Sequence, residues 1–145
     1  MNHSLTLRRS DMRLRDHYPI VVTAQKEESR DFWQRYLGFR TVFDSSWFTL
    51  MAHDGASIAF MTPDHPSAPP GSKTFTGRGV CFELEVDDVD KAHAELTGKG
   101  ASVTYPLSDE PFGQRRFGFA DPCGLWIDVV EQIEPEAGYW ERYMQ

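Results

Sequence analysis

Carboxylates spaced two residues apart on strand-like segments are the groups in this sequence best suited to bind a ligand. In the segment VCFELEV, Cys81, Glu83 and Glu85 alternate with apolar residues. Near the C-terminus, Trp126 and Asp128 have the same spacing within LWIDVV. Because successive side chains of a strand point to opposite faces, each set shares one face. Carboxylates beside an aromatic ring predict a pocket wall suited to flat or cationic ligands.

A second group of polar and aromatic residues lies in the motif EPFGQRRF, residues 110–117. Phe112 offers an aromatic platform, Gln114 an amide and Arg116 a guanidinium, all at one predicted mouth of the pocket. The structural alternative is an ordinary β-hairpin loop in which Gly113 is chosen for its backbone conformation.

Each carboxylate also has a structural interpretation. Glu83 and Glu85 are equally consistent with solvated residues on the open face of a sheet, and Trp126 with a core residue. Asp128 could form an ion pair with Arg115 or Arg116 on the neighbouring strand. The sequence alone leaves both interpretations open.

Other common chemistries are not indicated. The sequence has no G-x-G-x-x-G, P-loop or G-x-S-x-G motif, and its histidines match no zinc-binding spacing. Its two cysteines form no disulfide framework. Glu83 and Glu85 are expected to raise the pKa of the Cys81 thiol and so make it a weak nucleophile.

The elements that position these residues form an internal repeat. The first half predicts strand 18–24, helix 26–37 and strands 39–43, 47–52 and 57–61. The second half predicts strand 80–86, a helix from the N-cap Asp88 through Leu96, and strands 102–107, 116–120 and 125–130. Each half is therefore βαβββ, in the α+β class. Tyr18 corresponds to Cys81 at a spacing of 63 residues, and Ala59 to Asp128 at a spacing of 69.

The domain boundaries follow from this repeat. The six extra residues of the second half are assigned to a longer loop, SDEPFGQ, at 108–114. A segment rich in Pro, Gly and Ser joins the halves, as a linker or a lid. We expect an N-terminal tail at 1–16, the first module at 17–62, the linker at 63–78, the second module at 79–132 and a C-terminal extension at 133–145. The extension is expected to form a short helix that packs on the domain through Tyr139, Trp140 and Tyr143.

Composition excludes several classes of function. The 145 residues carry 15 Lys plus Arg and 22 Asp plus Glu, a net charge of -7. The tail contributes +2 and residues 17–145 contribute -9. An acidic chain is a poor nucleic-acid binder, because phosphate contacts are made mainly by Lys and Arg. Apolar runs are too short to span a bilayer, and the N-terminus lacks the apolar region of a secretory signal, so we expect a cytoplasmic protein.

The repeat resembles the vicinal oxygen chelate superfamily, which includes glyoxalases, bleomycin-resistance proteins and extradiol dioxygenases. The resemblance covers residues 17–132 and rests on SRDFWQRYLGF (29–39), FELEVDDVDKAHAEL (82–96) and EPFGQRRFGFADPCGLWIDV (110–129). It implies two cup-shaped half-barrel sheets with helices on their convex sides, and a homodimer in which modules of two chains complete each cup. The EPFGQRRF motif resembles the loop that covers the ligand groove in bleomycin-resistance proteins.

The resemblance also identifies where metal-dependent members hold their metal. Those ligand positions fall on Tyr18, Ala59, Cys81 and Asp128 of this chain. Ala59 has no donor atom and Tyr18 is a poor ligand, so too few donors remain for a catalytic metal. We therefore expect no metal and no cofactor, which weighs against an enzyme.

The resulting expectation is a metal-independent protein that binds a small organic molecule, either cationic or aromatic and drug-like, with no nucleic-acid or membrane partner. The alternatives are an enzyme, either with a degenerate metal site or with Asp128 as general base, and a protein-interaction module. The expected ligand-binding residues are Tyr18, Met61, Cys81, Glu83, Phe112, Gln114, Arg116, Trp126 and Asp128.

Overall fold

Two consecutive βαβββ modules make up the fold. The computed structural model describes residues 11–65 and 74–144, so parts of the expected tail and linker lie outside the described residues. The first module contains β1 (Ile20–Val22), α1 (Lys26–Leu37), β2 (Arg40–Asp44), β3 (Phe48–His53) and β4 (Ala56–Met61). The second contains β5 (Cys81–Glu85), α2 (Val89–Gly98), β6 (Tyr105–Glu110), β7 (Gln114–Ala120) and β8 (Trp126–Gln132). A short 3-10 helix, Trp140–Arg142, follows.

The two modules have the same strand order. The sheets run β1-β4-β3-β2 and β5-β8-β7-β6, and neither closes into a barrel. In each sheet the first strand pairs in parallel with the last, and the other pairs are antiparallel. Ile20 lies opposite Ala59 in one sheet, and Glu83 lies opposite Asp128 in the other. This register confirms the predicted repeat.

Local sequence accounts for the helix boundaries. The Asp88 carboxylate accepts a hydrogen bond from the Lys91 N–H at 3.0 Å, which caps the first turn of α2. Gly38 ends α1 with φ of 72°, a left-handed conformation that favours glycine. The predicted bounds of α1 agree with the observed ones.

The predicted long loop at 108–114 is wrong. β6 continues to Glu110 and β7 begins at Gln114, so that residues 111–113 form a tight turn. Gly113 adopts φ of 108°, which only glycine accepts readily. The strand predicted at 102–107 is accordingly shifted to 105–110, because its pairing with β7 is set by this turn rather than by local composition.

One hydrophobic core joins both modules. The inner faces of both sheets contribute to it, with Ile58 and Phe60 from one and Phe117 and Ile127 from the other. Trp33 of α1 is fully buried within this core. Because side chains alternate along strands, the opposite, outer face of each sheet points away from the shared core.

The C-terminal segment packs on the turn between β6 and β7. The Trp140 indole Nε1 donates to the Phe112 carbonyl at 2.8 Å, and the Tyr139 ring lies 6.3 Å from the Phe112 ring. Tyr143 stays largely exposed but contacts the Tyr139 ring. In the described part of the chain, every helix is too short or too polar to cross a membrane.

Candidate functional site

Asp128 is the centre of a polar cluster on the outer face of the second sheet. It lies in the middle of β8, and its side chain is only 5% exposed. The Trp126 Nε1 donates to its Oδ1 at 2.8 Å, and the Arg116 Nη1 donates to its Oδ2 at 3.1 Å. Asp128 therefore forms the ion pair that was one of its two predicted roles, and its partner is Arg116. Arg115 instead binds Asp90 and Asp109, away from this cluster.

Gly118 makes this arrangement possible. It lies opposite Asp128 on β7, and a Cβ at this position would come within 2.5 Å of Trp126 Cζ2 and 2.8 Å of Asp128 Oδ1. The indole therefore lies against bare backbone. Sequence analysis did not identify Gly118 as part of the site. A signal was present, because Gly118 follows Arg116 by two residues and therefore shares its face of the strand.

Arg116 extends the cluster toward the turn between β6 and β7. Its Nε donates to Glu110 Oε2 at 3.0 Å, and its guanidinium carbon lies 5.0 Å from the Tyr105 ring centre and 5.6 Å from the Phe112 ring centre. The Tyr105 hydroxyl donates to the same Glu110 oxygen. Sequence analysis did not single out Tyr105, because its place depends on the shifted start of β6.

Glu83 faces Asp128 directly across the β5–β8 pair. Partial burial, together with a hydrogen bond and charge repulsion from Asp128, raises the pKa of Glu83 to about 7, although Arg116 opposes the shift. Burial, followed by the charges of Glu83 and Asp128, also raises the pKa of the neighbouring Cys81 thiol. The direction agrees with the expected rise in the pKa of Cys81, but Asp128, rather than Glu85, acts beside Glu83.

The cluster has more negative than positive charge. Its carboxyl groups belong to Glu83, Glu110 and Asp128, and its guanidinium to Arg116. Hydrogen bonds from Tyr105 and Arg116 lower the pKa of Glu110, so that this group stays ionised at neutral pH. With Glu83 protonated the cluster carries a net charge of -1, and with Glu83 ionised it carries -2.

The structure brings most of the predicted binding residues to one face. Cys81, Glu83, Trp126 and Asp128 share the outer face of the second sheet with Arg116 and Gln114, and Phe112 lies at its edge. Tyr18 and Met61 belong to the first module instead. Met61 is 2% exposed on β4, and Tyr18 precedes β1 and is 41% exposed.

The residues at the superfamily's metal positions do not fit a metal. Ala59 is fully buried opposite Ile20, so this position supplies no donor. Both oxygens of Asp128 already accept hydrogen bonds. Within residues 11–65 and 74–144, no group of three or more His, Cys, Asp and Glu side chains is arranged to hold a metal ion.

A cavity of about 350 Å³ borders β5 on the side of the helices. Among the predicted binding residues only Glu83 lines this space, which we name the β5 cleft. Its walls combine apolar side chains from both modules with carboxylates, including Phe39, Asp54, Phe82, Leu84, Glu85 and Glu95.

Comparison with known proteins agrees with this architecture. The uncharacterized protein YwkD of Bacillus subtilis (strain 168) is 27% identical over 125 residues, which cover 80% of this chain and 95% of YwkD. The crystal structure of a glyoxalase/bleomycin resistance protein/dioxygenase from Nocardioides matches with a TM-score of 0.70 at 22% identity, covering 86% of this chain and 87% of that one. TnmS3, an antibiotic binding protein from Streptomyces sp. CB03234, matches with a TM-score of 0.63 at 25% identity, covering 86% and 99%.

A family model matches most of this chain. Residues 15–129 match the model of the Glyoxalase/Bleomycin resistance protein/Dioxygenase superfamily, and this range includes both modules almost entirely. The chain belongs to the Glyoxalase/Bleomycin resistance protein/Dioxygenase superfamily.

Proposed function

We propose that this protein binds a small, flat, cationic organic molecule on the outer face of its second sheet, without a metal. The observation that carries the proposal is the buried Asp128 carboxylate, held between the Trp126 indole and the Arg116 guanidinium beside Glu83. A fixed carboxylate with adjoining aromatic rings is suited to recognise the charge and the plane of such a ligand.

The charge of the cluster favours a cation over an anion. Arg116 is already shared between Glu110 and Asp128, so little of its positive charge is available to an anionic ligand. Glu83 lies beside this pair, opposite Asp128, and adds a further negative charge when it ionises. The similarity to TnmS3, an antibiotic binding protein, is consistent with a drug-like ligand.

We further propose that a homodimer completes the site. Tyr18 and Met61 lie on the first module, whereas the Asp128 cluster lies on the second. Both sheets direct their outer faces away from one shared core. A second copy that places its first module beside the Asp128 cluster would bring its exposed Tyr18 to the site and enclose an otherwise open face, whereas the buried Met61 would stay within its own module.

Calorimetric titration with N-methylquinolinium tests the binding proposal. This probe is flat and permanently charged, and 2-naphthalenesulfonate serves as a flat anion of similar size. We expect binding of the cation only. Asp128→Asn should weaken it about tenfold or more, because charge-assisted contacts in partly buried sites contribute on the order of 1.5–3 kcal/mol.

Glu28→Gln is the matched control, since it removes one carboxylate from an exposed position on α1. It should leave the affinity for N-methylquinolinium unchanged. Equal binding of both probes, or equal loss in the Glu28 and Asp128 variants, would contradict the proposed recognition.

One observation favours a second candidate, an enzyme that transfers protons. A carboxyl group with a pKa of about 7 can both accept and donate a proton near neutral pH, and Glu83 is such a group. In this candidate Glu83, rather than Asp128, acts as the general base, because Asp128 already accepts two hydrogen bonds. Turnover of a bound compound that is lost in Glu83→Gln while binding persists would favour it.

A further inference from the structure

The guanidinium of Arg116 is surrounded by groups that are also suited to a free cation. Its Nε donates to Glu110 at 3.0 Å, and its Nη1 donates to Asp128 at 3.1 Å. The ring centres of Tyr105 and Phe112 lie 5.0 Å and 5.6 Å from its central carbon, within the range of a cation–π contact. Two carboxylates and two aromatic rings around one planar cation form a complete binding site, which we name the Arg116 pocket.

The walls of the Arg116 pocket have other contacts that hold them in place. Asp128 also accepts a hydrogen bond from Trp126, and the Phe112 carbonyl accepts one from Trp140. On β6, the hydroxyl and the carboxylate of the pocket bind each other. If the guanidinium left, the walls would therefore remain assembled around two carboxylates that lack a cation, which is an unfavourable state for buried charges.

Arg116 is the most exposed charged group of this pocket. Its side chain is 26% exposed, whereas those of Glu110 and Asp128 are 15% and 5% exposed. Because an arginine has a long, flexible stem, its guanidinium can turn toward water while the backbone of β7 stays in place. The cation is thus the member of the pocket that a competing ligand can replace.

We propose that the Arg116 pocket binds the guanidinium or amidinium group of a small molecule, and that Arg116 occupies the pocket until this ligand displaces it. Such a group is planar, positively charged and rich in N–H donors, so it can make the contacts that Arg116 makes. A quaternary cation such as N-methylquinolinium has the charge and the plane but no N–H group to replace the two hydrogen bonds. This inference builds on the proposed function, because it specifies the cationic group and the place where it binds.

Calorimetric titration of the full chain with benzamidinium tests the inference. This probe carries an amidinium group on a flat ring. Arg116→Ala should bind benzamidinium about tenfold or more tightly than the wild type, because the probe then meets two carboxylates without competition from the chain's own guanidinium. The gain for N-methylquinolinium should be smaller, since it profits only from the more negative charge.

Arg115→Ala is the matched control. It removes the positive charge of the next residue, which binds the exposed carboxylates of Asp90 and Asp109. It should leave the affinity for benzamidinium largely unchanged. No gain in Arg116→Ala, equal gains in the two variants, or equal gains for the two probes would overturn the inference. A gain for benzamidinium in Arg116→Ala, with no binding of N-methylquinolinium by the wild type, would uphold the inference and contradict the proposed function instead.

NMR of the arginine side chains of the wild type tests displacement without a variant. The Arg116 Nε–H donates to Glu110, and the Arg115 Nε–H donates to Asp90, so the two signals report on separate contacts. Benzamidinium should shift the Arg116 signal toward that of a solvated arginine and leave the Arg115 signal in place. An Arg116 signal that is unchanged at the highest soluble concentration of benzamidinium would overturn the inference, even if Arg116→Ala did not fold.

Discussion

At the residue scale, the position of the Trp126 ring depends on the absence of a side chain at Gly118. The indole lies over this glycine and donates to Asp128, which also accepts from Arg116. The ring and the carboxylate therefore keep each other in place. A ligand that stacks on Trp126 meets a surface whose orientation is already set before binding.

Gly118→Ala should disrupt this surface. The added Cβ would meet Trp126 Cζ2 at 2.5 Å, so the indole must move and its hydrogen bond to Asp128 should break. We expect a loss of about 1–3 kcal/mol in the free energy of unfolding, typical of overpacking. N-methylquinolinium binding should weaken in parallel, as measured by calorimetry, while Gly98→Ala, with no atom within 4 Å, should preserve binding.

The raised pKa of Glu83 predicts a pH-dependent stability. The folded state holds the Glu83 proton up to about pH 7, whereas the ordinary pKa of the group is 4.5. Below pH 4.5 the contribution of Glu83 to the free energy of unfolding is complete. This contribution is lost as the pH rises through the pKa of Glu83 in the folded state. Glu83→Gln cannot lose this proton, so it should gain stability relative to the wild type as pH rises.

Urea unfolding of both proteins between about pH 5 and pH 8 measures the difference directly. Taking the difference removes every contribution to the free energy of unfolding that is the same in both proteins. A difference that stays constant over this range would show that Glu83 titrates as an ordinary surface carboxyl.

Sequence alternation located the carboxylates but not their interactions. The period of two correctly assigned Glu83, Trp126 and Asp128 to one face, because alternation is a property of any strand. It could not indicate that Arg116, rather than Arg115, reaches Asp128. That choice depends on the register between β7 and β8, which becomes fixed only when the sheet forms.

At the scale of elements, a buried hydrogen bond connects the two modules. The Trp33 Nε1 of α1 donates to the Asp121 Oδ2 at 2.9 Å, in the turn before β8. The other carboxylate oxygen accepts from the backbone N–H groups of Cys123 and Leu125. Asp121 thus fixes the turn and attaches it to the helix of the other module.

Asp121→Asn should leave the Trp33 N–H without a good acceptor. A buried donor that loses its acceptor costs about 1–3 kcal/mol in stability, and we expect a loss of that size in thermal or urea unfolding. In a double-mutant cycle with Trp33→Phe, the combined loss should be smaller than the sum of the single losses. Additive losses would mean that this bond does not couple the modules.

The sequence predicted the elements better than their connections. The apolar face of α1 and the cap at Asp88 gave correct helices because they depend on local residues. The turn at 111–113 was mistaken for a loop, since the strands that flank it are polar and are stabilised by pairing. The burial of Lys26 in α1 could not be predicted either. Its ammonium group donates hydrogen bonds to Asp44, Ser45 and Thr49, and hydrophobic periodicity gives no sign that a lysine is buried.

At the scale of the whole molecule, two modules of one topology have chemically different outer faces. Glu83 and Asp128 lie opposite each other in one sheet, and the equivalent pair in the other sheet is Ile20 and Ala59. Phe43 and Ile20 leave apolar surface exposed on that first sheet. The repeat could be predicted from sequence spacing. That the two modules share one core, and that their outer faces therefore point away from it, could be seen only in the structure.

This inequality between equivalent positions has a consequence for stoichiometry. A duplicated fold with two identical faces would bind two ligands per chain, whereas this chain carries the carboxylate pair in one module only. Under the proposed function each polypeptide therefore has one charge-selective surface, and the proposed homodimer has two. The proposed function therefore predicts that binding of N-methylquinolinium saturates at one ligand per chain, which calorimetric titration measures.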